Sequence, residues 1–416
     1  MEEPKRKKSL STKLLLVLWG LIIGCLMAEI SLRIIGYSYP IFYITDYERG
    51  YAPRPNVEGW FWVENKVYVR INGEGFRDRE HSKAKPADTV RIAVLGDSFA
   101  EARQVPMEQT FWAVMEQRLQ SCPALAGKKV EVLNFGVGGY GTAQELLTLR
   151  QRVWDYSPDI VILAVTTYND IIDNYRPFKQ TEEIPYFFYR NDQLVYDSSF
   201  RDSPTYRWHD SRMFRAWEWL HNHSCFIQLL HHAQYNIRTR ISDWRARRAL
   251  SQSQAAQPNT PQSQQTQSRT VSAEDVGLNN MIYVEPDDTW KEAWRLTEGL
   301  IKQTRDEVER RGAKFLFVTI STDIQVYPKK AVRQALINRL GTNDLLYPNH
   351  RLQALADREG IAFLDLAEPM QAYADQNGVF LHGFGNDAGN GHWNDAGHRL
   401  AGDLISQKLC AQDFLR

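Results

Sequence analysis

Polar side chains and glycines follow several apolar runs in the sequence, where they are able to do chemistry together. Ser98 ends "AVLGDS", Gly139 lies in "VEVLNFGVGGYGT", and Asn169 lies in "DIVILAVTTYND". Much later, "NGHWNDAGH" places His392 just before the last helical pattern. A hydroxyl, a backbone N–H donor, an amide donor and an imidazole are the groups that acyl transfer requires: a nucleophile, oxyanion donors and a general base.

Ser98 taken alone has a simpler interpretation. Serine is a favoured residue at the N-cap of a helix, and a small turn after an apolar strand is common. The stretch is also not the nucleophile elbow of the α/β-hydrolases, because Gly-x-Ser-x-Gly requires glycine where Ala100 stands. Only the polar groups at the other strand ends favour a catalytic serine over a cap.

The elements that must position these residues are predicted from an alternation of short apolar runs and helical stretches. Runs such as "VRIAVLG" and "DIVILAV" are nearly all apolar and rich in β-branched residues, as in strands that helices cover on both faces. Five such runs alternate with helices, which predicts an α/β fold with a five-stranded, parallel, doubly wound sheet of the flavodoxin-like type. Ligands of such sheets bind outside the carboxyl ends of the strands, where Ser98 and Asn169 are expected.

In this order the four blocks resemble the SGNH hydrolases, also called the GDSL esterase/lipase family. The resemblance covers about residues 89–178 and 290–416. It implies that Ser98 is the nucleophile and His392 the base, with the Ser98 N–H, the Gly139 N–H and the Asn169 side chain forming the oxyanion hole. The N-terminal anchor, the stretch "NFGVGGYGT" and the ending "GHWNxxGH" look like the membrane-anchored bacterial branch, which is often associated with acylated surface polysaccharides.

The chain departs from the family pattern at two places. The third block usually begins with glycine, where Thr167 stands here. The family places the carboxylate that orients the histidine two or three residues before it, and those positions hold Asn390 and Gly389. Asn390 and Asp387 are therefore both candidates for the orienting group, with Asp395 or a backbone carbonyl as further alternatives. An Asn can hold the ring, but replacing a triad Asp by Asn can cost on the order of 10⁴ in kcat.

The N-terminus predicts a membrane anchor. A Lys/Arg cluster in "MEEPKRKKSLSTK" precedes the uninterrupted apolar run "LLLVLWGLIIGCLMA", and apolar character resumes after Glu29. The total approaches the roughly 20 residues that a bilayer needs, and the basic residues favour a cytoplasmic N-terminus. A cleaved signal peptide and a lipoprotein signal with Cys25 remain alternatives.

These patterns divide the chain into six parts. We expect a cytoplasmic tail (1–11), a transmembrane anchor (12–35), a connecting segment packed on the core (36–88), and two core parts (89–178 and 290–416). An insertion (179–289) separates the core parts. Within it, residues 251–273 are rich in Ser, Gln, Thr and Pro and are predicted to be disordered. The aromatic stretch 186–189, "YFFY", either lines a groove for an acyl group or sugar or packs on the core.

Composition and cysteine usage exclude few functions. The 50 Lys and Arg balance the 50 Asp and Glu, so nothing in the charge suggests a nucleic-acid partner. Three cysteines follow Cys25, which permits one internal disulfide and leaves one thiol. A histidine-rich stretch could be misread as a metal site, but no carboxylate or second cysteine completes it; its members are His221, His223, Cys225, His231 and His232. No cofactor and no metal are expected.

The sequence therefore predicts a single-pass protein of the inner (cytoplasmic) membrane whose catalytic domain is a periplasmic serine esterase. Its expected substrates are O-acyl esters, O-acetyl above all, of a surface or wall glycan, with lipid or short-chain esters as an alternative. Acyl transfer to an alcohol is not distinguished from hydrolysis. The rival hypothesis is a catalytically weak domain that binds glycan and supports a membrane-bound O-acyltransferase. The absent carboxylate is its best argument.

Overall fold

The computed structural model describes residues 10–125, 127–255 and 276–411. The chain divides into two compact units. The first comprises the described residues within 1–41 and 211–268, and the second comprises those within 42–210 and 269–416. The second unit contains all the predicted site residues.

The second unit is built on a five-stranded parallel sheet. Its strands lie in the order β11-β10-β7-β5-β6, and every neighbouring pair is parallel. If these five strands are numbered 1 to 5 in the order in which they occur along the chain, their order across the sheet, counted from β6, is 2-1-3-4-5. This is the strand order of the flavodoxin-like doubly wound folds. The predicted fold class is confirmed. The strand bounds are β5 Thr89–Gly96, β6 Lys129–Asn134, β7 Ile160–Thr166, β10 Lys314–Ile320 and β11 Phe363–Asp365.

The apolar strands of this sheet are buried because helices cover both faces. Every residue of β5 and β7 is buried. Successive residues of β5 alternate between two hydrophobic clusters, with Ala93 and Leu95 in one and Ile92 and Val94 in the other. The period of two sends neighbouring side chains to opposite faces. This is why the strands read as continuous apolar runs.

The helices that flank the sheet separate into two layers. One cluster takes side chains from α4 Thr142–Gln151, α10 Asp288–Arg310 and α12 Tyr347–Glu359. The other takes them from α3 Phe111–Leu119, α13 Ala367–Asn377 and α14 Asp395–Cys410. The remaining helices of this unit are α2 Ser98–Glu101, α5 Asn169–Asn174, α6 Arg176–Lys179, α7 Pro204–His209 and α11 Lys330–Leu340.

Three antiparallel hairpins accompany the sheet. The segment before the first core strand forms two of them, β1 Tyr43–Asp46 with β2 Gly50–Pro53 and β3 Glu58–Phe61 with β4 Val67–Arg70. The stretch 186–189 lies in the third, β8 Tyr186–Arg190 with β9 Gln193–Asp197. Tyr186 and Phe187 are buried and Phe187 belongs to the core, so at these two positions the stretch packs on the core.

A disulfide joins Cys122 to Cys410 across 288 residues of sequence. Cys410 is the last residue of α14, so the bridge ties the end of that helix to the turn that follows α3. Cys225 keeps a free thiol, as does Cys25. One disulfide with one thiol left over is the most that the three cysteines after Cys25 allow.

The first unit consists of α1 Leu10–Ile34, α8 Arg212–His223 and α9 Cys225–Ala255. Among the described residues, α1 is the one helix that is long and apolar enough to cross a membrane. Signal sequences share this length and composition. The predicted disordered stretch 251–273 begins inside α9, which continues to Ala255, and its residues 256–273 lie outside the described residues.

Candidate active site

Ser98 is the first residue of α2, directly after the buried strand β5. The helix begins there because Asp97 is its N-cap, and Asp97 Oδ1 accepts a hydrogen bond of 2.9 Å from the Phe99 N–H. Capping is therefore done by the aspartate, and the serine hydroxyl is left for another partner. The interpretation of Ser98 as the cap is wrong.

The partner of Ser98 is His392. Ser98 Oγ lies 2.7 Å from His392 Nε2, although 294 residues separate them in the chain. The backbone of His392 is held by the Gly383 N–H, which donates to its carbonyl at 2.9 Å. The ring also packs against Phe99, with the ring centroids 4.9 Å apart. The structure thus brings together the predicted hydroxyl and imidazole at hydrogen-bond distance.

The other ring nitrogen of His392 meets Glu64. Glu64 Oε1 lies 2.7 Å from His392 Nδ1, and Glu64 Oε2 accepts the His392 backbone N–H at 3.1 Å. Glu64 lies in the turn between β3 and β4, in the left-handed region with a φ of 62°. A carboxylate that accepts from both Nδ1 and the backbone fixes the orientation of the ring and stabilises a positive charge on it.

Neither Asn390 nor Asp387 takes this position, so the prediction that one of them orients His392 is wrong. Both residues are exposed, and the glycines on either side of Asn390, Gly389 and Gly391, adopt positive φ values of 97° and 81°. Asp395 is also not the orienting group. It is the first residue of α14, and Asn394 caps that helix by accepting from the N–H groups of residues 396 and 397.

Glycine at position 391 is required for the approach of Glu64. A Cβ atom on Gly391 would lie 3.0 Å from both Glu64 Cδ and Glu64 Oε2, closer than ordinary van der Waals contact. The electrostatics also favour an ionised Glu64. Burial would raise the pKa of this carboxyl, but the hydrogen bonds and charge of His392 outweigh it and hold the pKa below its ordinary value.

Asn169 begins α5, at the carboxyl end of the strand next to that of Ser98. Its Nδ2 donates to Asp97 Oδ2 at 2.7 Å, so the amide is held against the residue before Ser98. One amide hydrogen makes this bond, and an amide nitrogen carries two. Burial raises the pKa of Asp97, while the bonds from Asn169 and from the Phe99 N–H oppose the shift.

The loop that contains Gly139 is held to the other end of α2. The Gly138 N–H donates to Glu101 Oε2 at 2.8 Å, and Tyr51 Oη donates to the Gly138 carbonyl at 2.9 Å. Gly139 has a φ of 80°, and a Cβ there would lie 2.7 Å from Tyr51 Oη. The glycine is therefore needed for backbone conformation and for space. The loop of Gly139 and the side chain of Asn169 are thus bonded to opposite ends of the short helix that begins at Ser98.

Sequence reasoning missed the part played by the segment before the core. Glu64 and Tyr51 both belong to it, and a further residue, Tyr43, donates from Oη to Glu101 Oε2 at 2.6 Å. The β3–β4 turn has no periodic pattern that marks Glu64, so nothing local in the sequence distinguishes this carboxylate from a surface one. The only sign of a carboxylate elsewhere in the sequence is indirect: the two positions before His392 where SGNH hydrolases carry it hold Gly389 and Asn390.

The remaining candidates lie elsewhere or have structural partners. Thr167, which stands where the SGNH hydrolases usually have glycine, is fully buried, and its Oγ1 has no hydrogen-bond partner among the described residues. In the first unit, His221 Nε2 lies 3.0 Å from His231 Nδ1, and Tyr37 Oη lies 3.0 Å from His232 Nδ1. Within the described residues, no group of three or more His, Cys, Asp or Glu side chains could hold a metal ion.

Comparisons with known proteins give a structural likeness alone. No protein-family model and no curated protein matches the chain. An acetyl xylan esterase, AlAXEase, is 14% identical with a TM-score of 0.37, covering 76% of this chain and 98% of its own. A putative lipolytic protein of the G-D-S-L family from Desulfitobacterium hafniense is 14% identical with a TM-score of 0.33, covering 77% and 99%. A catalytic mutant of the Geobacillus stearothermophilus acetylxylan esterase Axe2 is 10% identical with a TM-score of 0.36, covering 80% and 99%. These scores are too low to assign a function, so the assignment depends on the geometry of the site.

Proposed function

We propose that this protein is a serine esterase of the SGNH type, anchored in the membrane by α1, that acts outside the cytoplasm on O-acetyl or other O-acyl esters of a glycan. The observation that carries the proposal is the continuous chain of contacts from Ser98 Oγ through His392 to Glu64, with 2.7 Å at each step. A hydroxyl, an imidazole and a carboxylate in this arrangement are the elements of an acyl-transfer triad, whatever their order in the sequence.

In the first half of the reaction, Ser98 Oγ attacks the ester carbonyl and His392 Nε2 takes its proton. The carbonyl oxygen becomes an oxyanion, which the N–H groups of Ser98 and Gly139 and the Asn169 amide stabilise. The first N–H groups of a helix have no partner within it, so the Ser98 N–H is available for this role. His392 then gives the proton to the leaving alcohol, and an acyl-serine remains.

In the second half, water or another alcohol attacks the acyl-serine. His392 removes the proton of that nucleophile and returns it to Ser98 Oγ as the acyl group leaves. Glu64 stays ionised throughout and stabilises the positive charge that His392 carries in each half. Water yields a free acid and an alcohol yields a new ester, so the same residues serve hydrolysis and transfer.

The location outside the cytoplasm is supported by two features. The basic residues before α1 favour retention of the N-terminus in the cytoplasm. The disulfide between Cys122 and Cys410 lies in the unit that follows the helix. Structural disulfides persist in oxidising compartments and are rare in the cytosol. No observation favours the rival hypothesis of an inactive scaffold for an acyltransferase, since its main argument was the missing carboxylate and Glu64 supplies one.

The proposal is tested on the purified full chain with p-nitrophenyl acetate and with an acetylated xylan, by measuring released acetate. Ser98→Ala should leave the fold intact and remove nearly all turnover, together with labelling by a serine-directed phosphonate. His392→Ala should match it. The double variant should be scarcely slower than either single variant, because residues that act as one unit are not additive.

Asn386→Ala is a matched control, since this exposed residue lies in the same loop region as His392 but outside the triad. Full activity of Ser98→Ala on every ester that the unaltered protein cleaves would refute the catalytic role and favour the scaffold. Transfer of the acetyl group to an added sugar hydroxyl, in place of acetate release, would identify a transferase.

A further inference from the structure

The apolar helix α1 carries an acidic residue near its end, and that residue binds the start of α9. Glu29 Oε2 accepts from Ser224 Oγ and from the Phe226 N–H, each at 2.9 Å, and Glu29 Oε1 accepts from the Cys225 N–H at 3.1 Å. A carboxylate at the N-terminus of a helix satisfies N–H groups that have no partner within the helix. Glu29 thus caps α9 from another helix.

A second contact fixes the same place. Arg33 Nη2 donates to the carbonyl of His223, the last residue of α8, at 2.6 Å, and Arg33 Nε donates to Glu29 Oε1 at 2.8 Å. The two charged residues at the end of α1 therefore hold both sides of the turn at Ser224, where α8 ends and α9 begins. The turn between α8 and α9 is therefore bound to the C-terminal end of α1.

Large apolar side chains surround this turn and are left in contact with solvent. Five of them lie within seven residues of Ser224 and are between 36% and 60% exposed. We call these five residues the elbow surface: Trp217, Trp219, Leu220, Leu229 and Leu230. Soluble surfaces rarely group large apolar side chains in this way, and such groups mark protein or membrane contacts. Tryptophan in particular is enriched at the boundary between membrane and water.

The position of the turn along α1 indicates which contact this is. The apolar run of α1 ends at Ala28, and Glu29 and Arg33 follow. Ionised side chains are costly inside the hydrocarbon and are therefore expected near the ends of a spanning helix. Glu29 and Arg33 both fall in the last seven residues of the predicted anchor 12–35, so the turn bonded to them lies near the end of the span, on the side of the lipid headgroups.

The charge of α9 beyond the turn fits an anionic lipid surface. Residues 238–248 contain five arginines and one aspartate. Of these arginines, Arg238, Arg240, Arg245 and Arg248 are exposed. Basic residues close to a membrane surface attract anionic phospholipids.

We propose that the elbow surface is seated among the headgroups of the leaflet from which α1 emerges, with anionic phospholipid as its partner. The proposal rests on the membrane anchor of the proposed function. The contact would give the chain a second attachment to the bilayer, beside the spanning helix, and would fix the end of α8 and the start of α9 against the membrane surface.

The test uses the full chain with Cys25→Ser and Cys225→Ser, so that one introduced cysteine at a time carries an environment-sensitive fluorophore. The labelled variants are Trp219→Cys and Leu230→Cys on the elbow surface, Leu18→Cys in the middle of α1, and Arg212→Cys at the far end of α8. Each is reconstituted in vesicles of phosphatidylcholine and phosphatidylglycerol. Two sets of vesicles are used, and in both the lipid acyl chains carry bromine atoms, which quench fluorescence on contact. In one set the bromine lies near the headgroup, and in the other it lies near the end of the acyl chain.

We expect the labels at 219 and 230 to lose emission in vesicles with bromine near the headgroup and to lose less with bromine near the chain end. The label at 18 should show the reverse order, and the label at 212, a polar and exposed position, should lose least. Quenching at 18 without quenching at 219 and 230 would refute the elbow contact and leave the anchor intact. A label at 18 that no bromine quenches would refute the anchor and, with it, the proposal.

Discussion

Replacing Glu64 by Gln tests the assignment of the third member of the triad most directly. The carboxylate accepts two hydrogen bonds from one residue, from Nδ1 and from the backbone N–H of His392. A Gln side chain offers one oxygen and one NH₂ group. If the amide oxygen faces Nδ1, the NH₂ group meets the backbone N–H of His392, and two donors oppose each other. If the NH₂ group faces Nδ1, it selects the tautomer in which Nδ1 accepts, and Nε2 can no longer take the proton of Ser98.

The magnitude follows from the short contact and its exposure. At 2.7 Å, unit charges attract by about 6 kcal/mol at an effective dielectric constant near 20 and by about 1.5 kcal/mol in bulk water. Glu64 is 27% exposed and His392 23%, so solvent screens the pair in part. Since each 1.36 kcal/mol is about tenfold in rate, we expect Glu64→Gln to lower kcat by about 10² to 10⁴.

The assay is the steady-state hydrolysis of p-nitrophenyl acetate. Asp387→Ala and Asn390→Ala serve as matched controls, because they alter the two positions that the sequence favoured and should change kcat little. Thermal unfolding of each variant checks that the fold persists. If Glu64→Gln kept nearly all of its kcat while Asp387→Ala or Asn390→Ala lost most of theirs, the role of Glu64 would be refuted.

Two further predictions concern stability. Burial raises the pKa of Asp173 to about 6, although the charge and hydrogen bond of Lys179 oppose the shift. Because this pKa is higher in the folded chain than in the unfolded chain, where it is near 4, the carboxyl contributes its full stability below about pH 4. That contribution is lost as the pH rises through about 6. Between pH 4 and pH 7, we therefore expect the free energy of unfolding to fall by up to about 3 kcal/mol less in Asp173→Asn than in the unaltered protein. If the free energies of unfolding measured in urea changed equally with pH in the two proteins, this prediction would be contradicted. Replacing Cys122 and Cys410 together by Ser should lower the free energy of unfolding by about 2 to 5 kcal/mol, because the bridge closes a loop of 288 residues in the unfolded chain. Urea midpoints that coincide with and without the bridge would show that it contributes nothing.

The sheet and half of the site could be predicted from the sequence because both depend on local patterns. Strands buried on both faces must be apolar throughout, and alternation with helices makes the sheet parallel, so the carboxyl ends of β5 and β7 meet at one edge. Ser98 and Asn169 follow those two strands. Their proximity through Asp97 is a consequence of chain direction, which the sequence pattern contains.

Glu64 could not be predicted because its position depends on a contact across 328 residues. The hairpin that carries it is short, and its left-handed φ at a non-glycine residue has no signature in composition. Spacing along the sequence favours Asn390 because the SGNH hydrolases, which the chain resembles, place their orienting carboxylate two or three residues before the histidine. The two positive-φ glycines beside it give the loop a backbone path that leaves Asn390 exposed. Spacing along the chain cannot show such a change of direction.

The origin of Glu64 outside the doubly wound core means that the triad is assembled from two separable pieces of chain. A fragment that begins at β5 would keep the sheet, Ser98 and His392, yet it would lack the carboxylate and also Tyr51, which holds the Gly138 carbonyl. The hairpins before β5 therefore belong to the minimal unit for the proposed chemistry, because the core strands alone do not contain the carboxylate that orients His392.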